Sequence, residues 1–467
     1  MMKGAKGSMQ NSDVVLYNLS KHATKKEYRY DRLYRNLYNK DFYACAYKNI
    51  NQQKRNLQSN GLVGQKIEVV IASLRDETYQ PHPIEKINHE KGNSKARFVS
   101  IPTLTDHLVQ EICSLMLEAI YEPTFLNVSF GLKNNQNRKR ALIQVQRSFS
   151  QVHWWIKGTI KDFYQSIDFQ VLIQILRKRI KDERLIRLIW KFLRAGYVDH
   201  WPHIKTSLGL TLATIYYNEF DQFIMKQMKE EFWQRMSTQT MNQDARLIQF
   251  HRGKERMKNF QYVRCGNEFL IGMNGRKEEV LHIQNAISQF LNDALKVSLS
   301  EEMKRVHRFK PIQFLDYDIR IRKKERMNGV KKRGSENVVS FKIPKGTIEK
   351  FIISRKMVKD IQAKKWHILH RPQLLKLADV TIIETYNNEL KRLYEYYSFA
   401  ENVSQKMGQL KYVMEYSCLK TLANKYRSTV SKMKAKYRKG KHWGATEQTD
   451  EGEKIVYFYK DGFKMRR

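Results

Sequence analysis

Apolar residues recur at helical spacing through long stretches of this chain, and between those stretches they change to the two-residue alternation of strands. Residues 1 to about 27 are polar and read as a flexible tail. From Glu27 onward Tyr, Leu and Phe fall three and four positions apart with Arg and Lys between them, which predicts helix with a buried aromatic stripe. After the basic turn at 91–95, the run ARFVSIP reads as extended and ends at Pro102. Thr105 or Asp106 then caps a helix whose Leu108, Ile112, Leu115 or Met116 and Ile120 share a face, until Pro123 stops it. Residues 154–167 read as a strand entering a turn. Asp168 opens one long helical region to about Gly196, striped by Leu172, Ile175, Leu176, Ile180, Leu185, Ile189, Phe192 and Leu193. A further helix is expected at 211–221. Strand alternation returns at 260–272, a helix follows at about 277–297, and 314–321 is again a strand. The basic stretch from Arg320 to Arg333, with Gly329, reads as a hairpin tip or linker and marks a domain boundary. Helical spacing then holds from about 343 to 437.

Composition adds a partner class. The chain has 467 residues, 41% of them hydrophobic, enough for the cores of two or three domains. Lys and Arg number 86 against 47 acidic residues, a formal charge of +39. A compact body so charged attracts polyanions, and phosphate neutralisation with counterion release is its direct use. The four cysteines (Cys45, Cys113, Cys265, Cys418) are scattered, which suggests neither a disulfide framework nor a zinc site. No apolar run is long enough for a membrane span. The first ten residues lack an apolar signal core and are short for a transit peptide, so the protein is expected to work where it is translated.

Two stretches carry candidate chemistry. In YVRCGNEFLIG (262–272) two alternating runs flank a Gly-Asn turn, a hairpin with a single carboxylate, Glu268, at its tip. Between 425 and 441 stand Lys425, Arg427, Lys432, Lys434, Lys436, Arg438, Lys439 and Lys441 with no acid among them. On a helix ending near 438 these cations line more than one face, and Tyr426 and Tyr437 are placed to stack on bases.

The hairpin resembles the catalytic hairpin of group II intron reverse transcriptases, where Tyr-Ala-Asp-Asp stands at Cys265, Gly266, Asn267 and Glu268. In that family the paired aspartates, with one from an earlier strand, hold magnesium for nucleotide addition. Such chemistry needs several anionic oxygens converging on ions roughly 3.5–4 Å apart. Other blocks resemble the same family. Residues 97–133 are similar to its fingers block, keeping Arg97, Ile101, Pro102, Asp106, Gln110, Tyr121, Pro123 and Gly131 among others. GTIKDFYQSID (158–168) is similar to the strand that reads Gly-Asp-Ile-Lys-Gly-Phe-Phe-Asp, with Thr159 in place of the first catalytic aspartate and Gln165 in place of a second acid. Asp162 lies three residues on, which in a strand turns it to the opposite face, so Asp162 and Asp168 read as surface or capping residues. TLATIYYNEFD (211–221) is matched, but the preceding Pro-Gln-Gly-Gly turn is His203, Ile204, Lys205 and Thr206 here. MNGRKEE (273–279) and FLDYDI (314–319) follow, with Asp316 where the family has Gly. Residues 379–403 and 416–437 resemble the maturase domain X, with Lys391 and Arg392 where the family has Arg-Gly.

The resemblance implies an α+β protein, a right-hand polymerase-like fingers and palm domain followed by an α-helical thumb, the maturase domain X. It implies a tail at 1–27, fingers at 28–145, a palm with degenerate active site (Thr159, Asn267, Glu268) at 146–333, a thumb at 334–440, and a C-terminal tail without endonuclease at 441–467. The expected function is an intron maturase that binds group II-type or derived intron RNA in precursor mRNA and promotes its splicing. Neither reverse transcriptase nor endonuclease activity is expected. Splicing chemistry would lie in the RNA, which needs magnesium, while the protein binds no metal or cofactor, no membrane and no small-molecule substrate. RNA contacts are expected from Lys95, Arg97, Lys391, Arg392, Lys420, Lys425, Arg427, Lys432, Lys434, Lys436 and Arg438. The expected compartment is an organelle, the plastid stroma first and the mitochondrion second, with a bacterial host left open. Rivals are a polymerase with relocated ligands (Asp162, Asp168, Glu268), a general RNA-binding factor, and a decaying reading frame.

Overall fold

The structure is a computed structural model; it describes residues 11–25, 27–53, 62–83, 87–89, 97–99, 103–130, 135–196, 206–230, 260–323, 337–363, 366–449 and 452–466. Helices alternate with small sheets, antiparallel except for one parallel pair in the five-stranded sheet, so the expected α+β class holds. The chain divides into two compact units, residues 1–144 with 152–305, and residues 145–151 with 306–467.

The first unit opens with a helix where a flexible tail was expected. Helix α1 (Ser12–Ala23) is capped by the Asn11 side chain, which accepts from the Asp13 N–H at 2.8 Å. Its Val15, Leu16, Leu19 and Ala23 follow helical spacing and meet the core, a stripe hidden by the polar average of the segment. The aromatic stretch after Glu27 is buried as predicted, but it is not one helix. A 3₁₀ turn (Tyr34–Tyr38) precedes α2 (Lys40–Gln53). The buried Tyr34 and Tyr43 hydroxyls donate to the Leu74 and Leu37 carbonyls, so their burial leaves no orphaned oxygen.

Helix α3 (Leu62–Arg75) leads to the short antiparallel pair β1 (Ile87–His89) and β2 (Arg97–Val99). Helix α4 (Leu104–Tyr121) is buried over most of its surface. Its cap is Thr103, which accepts from the Asp106 N–H, rather than Thr105 or Asp106. Asp106 is fully buried and accepts from the Tyr79 hydroxyl. After β3 (Ser129–Phe130), α5 (Asn135–Ser148) and β4 (Trp154–Thr159), the helix expected from Asp168 to Gly196 divides into α6 (Phe169–Arg177) and α7 (Glu183–Arg194). Two signals divide it. Tyr30 bonds Arg179 and Lys181 through its backbone, both at 2.7 Å, and the Asp182 carboxylate caps α7 while accepting from the Tyr34 N–H.

Helix α8 (Ser207–Gln222) runs into a π-helical stretch (Phe223–Met228). Strands β5 (Phe260–Cys265) and β6 (Glu268–Met273) form the predicted hairpin, and α9 (Lys277–Asp293) follows it. With β7 (Lys304–His307) the sheet order is β3-β5-β6-β4-β7.

In the second unit β8 (Ile312–Phe314), β9 (Tyr317–Lys323) and β10 (Asn337–Lys342) pair antiparallel in the order β10-β9-β8. The basic stretch expected to be a hairpin tip or linker is thus flanked by paired strands; its residues 324–336 lie outside the described residues. Helices α10 (Thr347–Ser354), α11 (Asp379–Tyr397), α12 (Val403–Lys425) and α13 (Val430–Lys436) supply the expected helical region. The segment expected as a C-terminal tail is packed instead. Strands β11 (Arg438–Lys439), β12 (His442–Thr449) and β13 (Gly452–Tyr457) form a sheet, and Trp443 stacks on Phe458 with centroids 5.0 Å apart. The Asn387 side chain on α11 bonds both the Tyr457 carbonyl and the Tyr459 N–H, at 2.7 and 2.8 Å. Among the described residues no helix is long and apolar enough to cross a membrane.

Candidate functional site

The hairpin brings the three degenerate positions together. Gly266 takes φ +59° at the first position of the two-residue turn between β5 and β6, where two-residue hairpins favour glycine. Thr159, last in β4, is in register with Glu268, first in β6, while the Asn267 carbonyl accepts from the Ile160 N–H at 2.9 Å. One hydroxyl, one amide and one carboxylate therefore share this end of the sheet. The Glu268 carboxylate lies 3.2 Å from the Lys157 ammonium, both side chains being less than one-fifth exposed. A fixed cation thus stands beside the carboxylate. Among the described residues no three His, Cys, Asp or Glu side chains gather to hold a metal ion.

Gly158 is set by packing. A Cβ there would lie 2.1 Å from the Phe269 ring, which crosses the strand at its register partner. Asp162 sits beyond the end of β4 in an exposed turn at φ +43°, so the alternation expected of a strand does not reach it. Asp168 caps α6 by accepting from the Val171 N–H at 2.9 Å, as expected.

Behind the turn lies a buried network that the sequence reading missed. Arg264 on β5 is 2% exposed and Asp221 at the end of α8 is fully buried. The guanidinium grips both oxygens of the carboxylate, at 2.7 and 2.6 Å, and also donates to the Gly266 carbonyl and the Ser129 hydroxyl. Tyr262 donates to the same carboxylate at 2.6 Å. Burial alone would lower the Arg264 value, but Asp221 outweighs it and holds the guanidinium above its ordinary range. Burial, with Asp221 beside it, keeps the Tyr262 hydroxyl protonated. The one sequence signal is a charged residue, Arg264, inside a strand whose other residues are Phe, Gln, Tyr, Val and Cys.

In the second unit the basic stretch is broken into two helices and a strand. Helix α12 ends at Lys425, Arg427 takes a left-handed φ of 47°, and the Thr429 hydroxyl caps α13. The single helix expected to reach about 438 is therefore absent, and the break redistributes the cations. Arg427, Lys432, Lys434, Lys436 and Arg438 are exposed. Lys425 turns inward and donates to the Asp379 carboxylate at 2.7 Å and the Leu377 carbonyl at 2.8 Å. Tyr426 and Tyr437 donate to the other oxygen of Asp379. Tyr437 is buried and Tyr426 remains exposed, with the Lys436 ammonium 4.3 Å from its ring centroid. Burial alone would raise the Asp379 carboxyl, yet the hydrogen bonds from Lys425, Tyr437 and Tyr426 hold it below its usual value. Burial likewise would lower Lys425, and Asp379 raises it.

The other expected contacts divide similarly. Lys391 and Arg392 are exposed on α11, whereas Lys420 donates to the Ile368 carbonyl at 2.8 Å. Arg97 lies in β2 in register with His89, and Lys95 falls outside the described residues. Tyr412 and Tyr416, one turn apart on α12 and 67% and 38% exposed, are surface aromatics the sequence reading passed over.

Comparison with known proteins sets these features in context. A family profile described as type II intron maturase matches residues 337–463, so the matched domain includes the C-terminal strands expected as a tail. The chain is 32% identical to the group II intron-encoded protein LtrA of Lactococcus lactis subsp. cremoris, over 96% of this chain and 84% of that protein. It is 24% identical to a putative COX1/OXI3 intron 2 protein of Saccharomyces cerevisiae, over 84% of this chain and 51% of that protein. It is 22% identical to nuclear intron maturase 1, mitochondrial, of Arabidopsis thaliana, over 75% of this chain and 61% of that protein.

Proposed function

The chain belongs to the family of group II intron-encoded proteins, and on that premise we propose that it is an intron maturase that binds intron RNA and promotes its splicing without polymerising. The observation that carries the reading is the exposed set Arg427, Lys432, Lys434, Lys436 and Arg438, flanked on both sides of α13 by Lys425, Tyr426 and Tyr437 bonded to Asp379. Cations on a short, capped helix meet phosphates in a fixed geometry, and Tyr412, Tyr416 and Tyr426 offer faces for unstacked bases. The first unit takes the part of fingers and palm, and the second that of the thumb, together with β8 and β9, which were expected in a palm reaching to 333. Catalysis stays in the folded intron with its own magnesium, and the protein offsets repulsion between the RNA domains it clamps. Thr159 and Asn267 supply no anionic oxygen, and Glu268 already faces Lys157, so nucleotide addition lacks its metal ligands.

Tagging the protein in its own compartment, crosslinking and sequencing the attached RNA tests this directly. One or a few unspliced precursors should dominate; an even spread over abundant transcripts would replace the maturase with a general RNA-binding factor. Primer extension with magnesium or manganese should give no product, and extension would restore the polymerase reading. For the compartment, the relatives include an intron maturase named as mitochondrial and a protein of a bacterium; they support an organelle and put the mitochondrion on an equal footing with the plastid expected first from sequence.

A further inference from the structure

Helices α6 and α7 lie side by side, joined at one end by a bidentate Arg177–Glu183 pair at 2.9 and 2.8 Å. Between them runs an open groove of about 580 Å³. Its floor is apolar, with Ile173 and Ile186 buried and the Trp190 ring half-buried. Gln170 and Gln174, one turn apart on α6, form one wall with exposed amides. Arg187, Lys191 and Arg194 occupy successive turns of α7 on the other. The Arg194 guanidinium lies 5.4 Å from the Trp190 ring centroid. Nothing in the hairpin chemistry or the C-terminal cation row uses this groove.

We propose that the α6–α7 groove is a binding site for a single-stranded segment of RNA. Three features recur in single-strand recognition and meet here: an aromatic face with a guanidinium over it, amides that both donate and accept, and a cation row along one rim. A base entering the groove takes the place of the Arg194 guanidinium over the Trp190 ring and stacks there, with the two glutamines on the facing wall to bond its edge. Phosphates of the same strand follow Arg187 and Lys191. Those cations have partners, since Arg187 pairs with Glu77 and Lys191 donates to the Tyr79 carbonyl. The Arg187–Glu77 pair is exposed and weak, because water screens it and both side chains must be held still, so a phosphate can compete for Arg187; Lys191 meets neutral carbonyls and keeps its charge for a phosphate. A protein helix fits less well, because its apolar side chains would strip water from both glutamine amides and return no hydrogen bond.

The inference rests on the RNA-binding reading above and deepens it. Its test uses the full chain, a fluorescent mixed-sequence single-stranded RNA oligonucleotide, and the same oligonucleotide annealed to its complement. Trp190→Leu combined with Arg194→Gln should weaken single-strand binding about tenfold, the scale of one unstacked base. Gln170→Ala with Gln174→Ala, both exposed and well tolerated in a helix, should weaken it without changing unfolding. A benzophenone side chain placed at Gln174 should crosslink to the oligonucleotide. Unchanged affinity in both variants, equal competition by the duplex, or a crosslink to protein would overturn the proposal. Groove-dependent oligonucleotide binding without any preference for intron RNA would support the groove and sink the maturase reading instead, so the two failures are separable.

Discussion

Arg264 and Lys434 carry the same charge and are used in opposite ways. Arg264 directs its N–H groups to Asp221, Gly266 and Ser129 inside the protein, and holds the hairpin turn against α8. Lys434 stands exposed on α13 and leaves its charge facing outward. Between these extremes lie Lys157, paired with Glu268, and Lys425, folded onto Asp379. A large positive charge therefore does not locate an RNA surface by itself. What decides is whether an acceptor from elsewhere in the chain is already there. Around the hairpin the cations are committed to internal anions, and at the end of α12 one committed lysine braces a set of exposed ones.

The strongest way to break this comparison is to empty the buried pair. Arg264→Met leaves Asp221 charged and unpaired in the core and should cost about 3–5 kcal/mol in urea unfolding. Adding Asp221→Leu should recover part of that loss, because no orphaned charge remains, although the buried Tyr262 hydroxyl then loses its acceptor. A cost below about 1 kcal/mol would place Arg264 among the exposed cations and undo the contrast.

Next is the brace. Asp379→Ala removes the acceptor of Lys425, Tyr426 and Tyr437 at once and should cost about 1–3 kcal/mol. Its pH dependence sharpens the assignment. The folded Asp379 value is lowered, so its contribution is complete above the unfolded value, about pH 4, and drains away as pH falls through the folded one. Lys425 is raised, so its contribution is complete below about pH 10.4 and fades as pH climbs through the folded value. The difference in unfolding free energy between wild type and Asp379→Ala should stay flat from about pH 5 to about pH 9. A slope within that window would mean another titrating group carries the effect.

A smaller change is expected from Lys157→Met, which removes the ammonium 3.2 Å from the Glu268 carboxylate, at about 1 kcal/mol. If isothermal titration then detects magnesium where the wild type shows none, Lys157 is the cation that fills this end of the sheet. No new binding would reduce the pair to a surface interaction.

The smallest effect on folding should come from replacing Lys432, Lys434, Lys436 and Arg438 together by Ala. Unfolding should move by less than about 0.5 kcal/mol, since these side chains are exposed. Intron binding should weaken, and its log–log salt slope should become shallower by up to about 0.7–0.9 for each phosphate that is no longer neutralised. Unchanged slope with intact folding would remove α13 from the RNA surface.

Much of the scaffold could be read from the chain alone because it depends on neighbours a few positions apart. The β5–β6 hairpin, the Asp168 cap, the stripe of α4 and the aromatic burial after Glu27 are all set by local periodicity and turn chemistry. Thr159 and Glu268, both singled out by the resemblance, are register partners in the sheet. Averages over segments misled in three places. The polar start concealed α1, the continuous stripe from Leu172 to Leu193 concealed the break at Asp182, and the mixed C-terminal end concealed a packed sheet anchored by Trp443 and Phe458.

Which charges face outward into solvent and which hold the protein together was decided only by the tertiary structure. Arg264 and Asp221 are 43 residues apart, and Lys425 and Asp379 are 46 apart. A lysine bound to a distant aspartate and a lysine facing solvent look the same in a sequence window. The sequence determined an α+β chain of maturase kin, rich in cations and short of catalytic carboxylates at the hairpin. The fold chose which of those cations remain outside, because a charge leaves water only where a partner from a remote segment arrives to meet it.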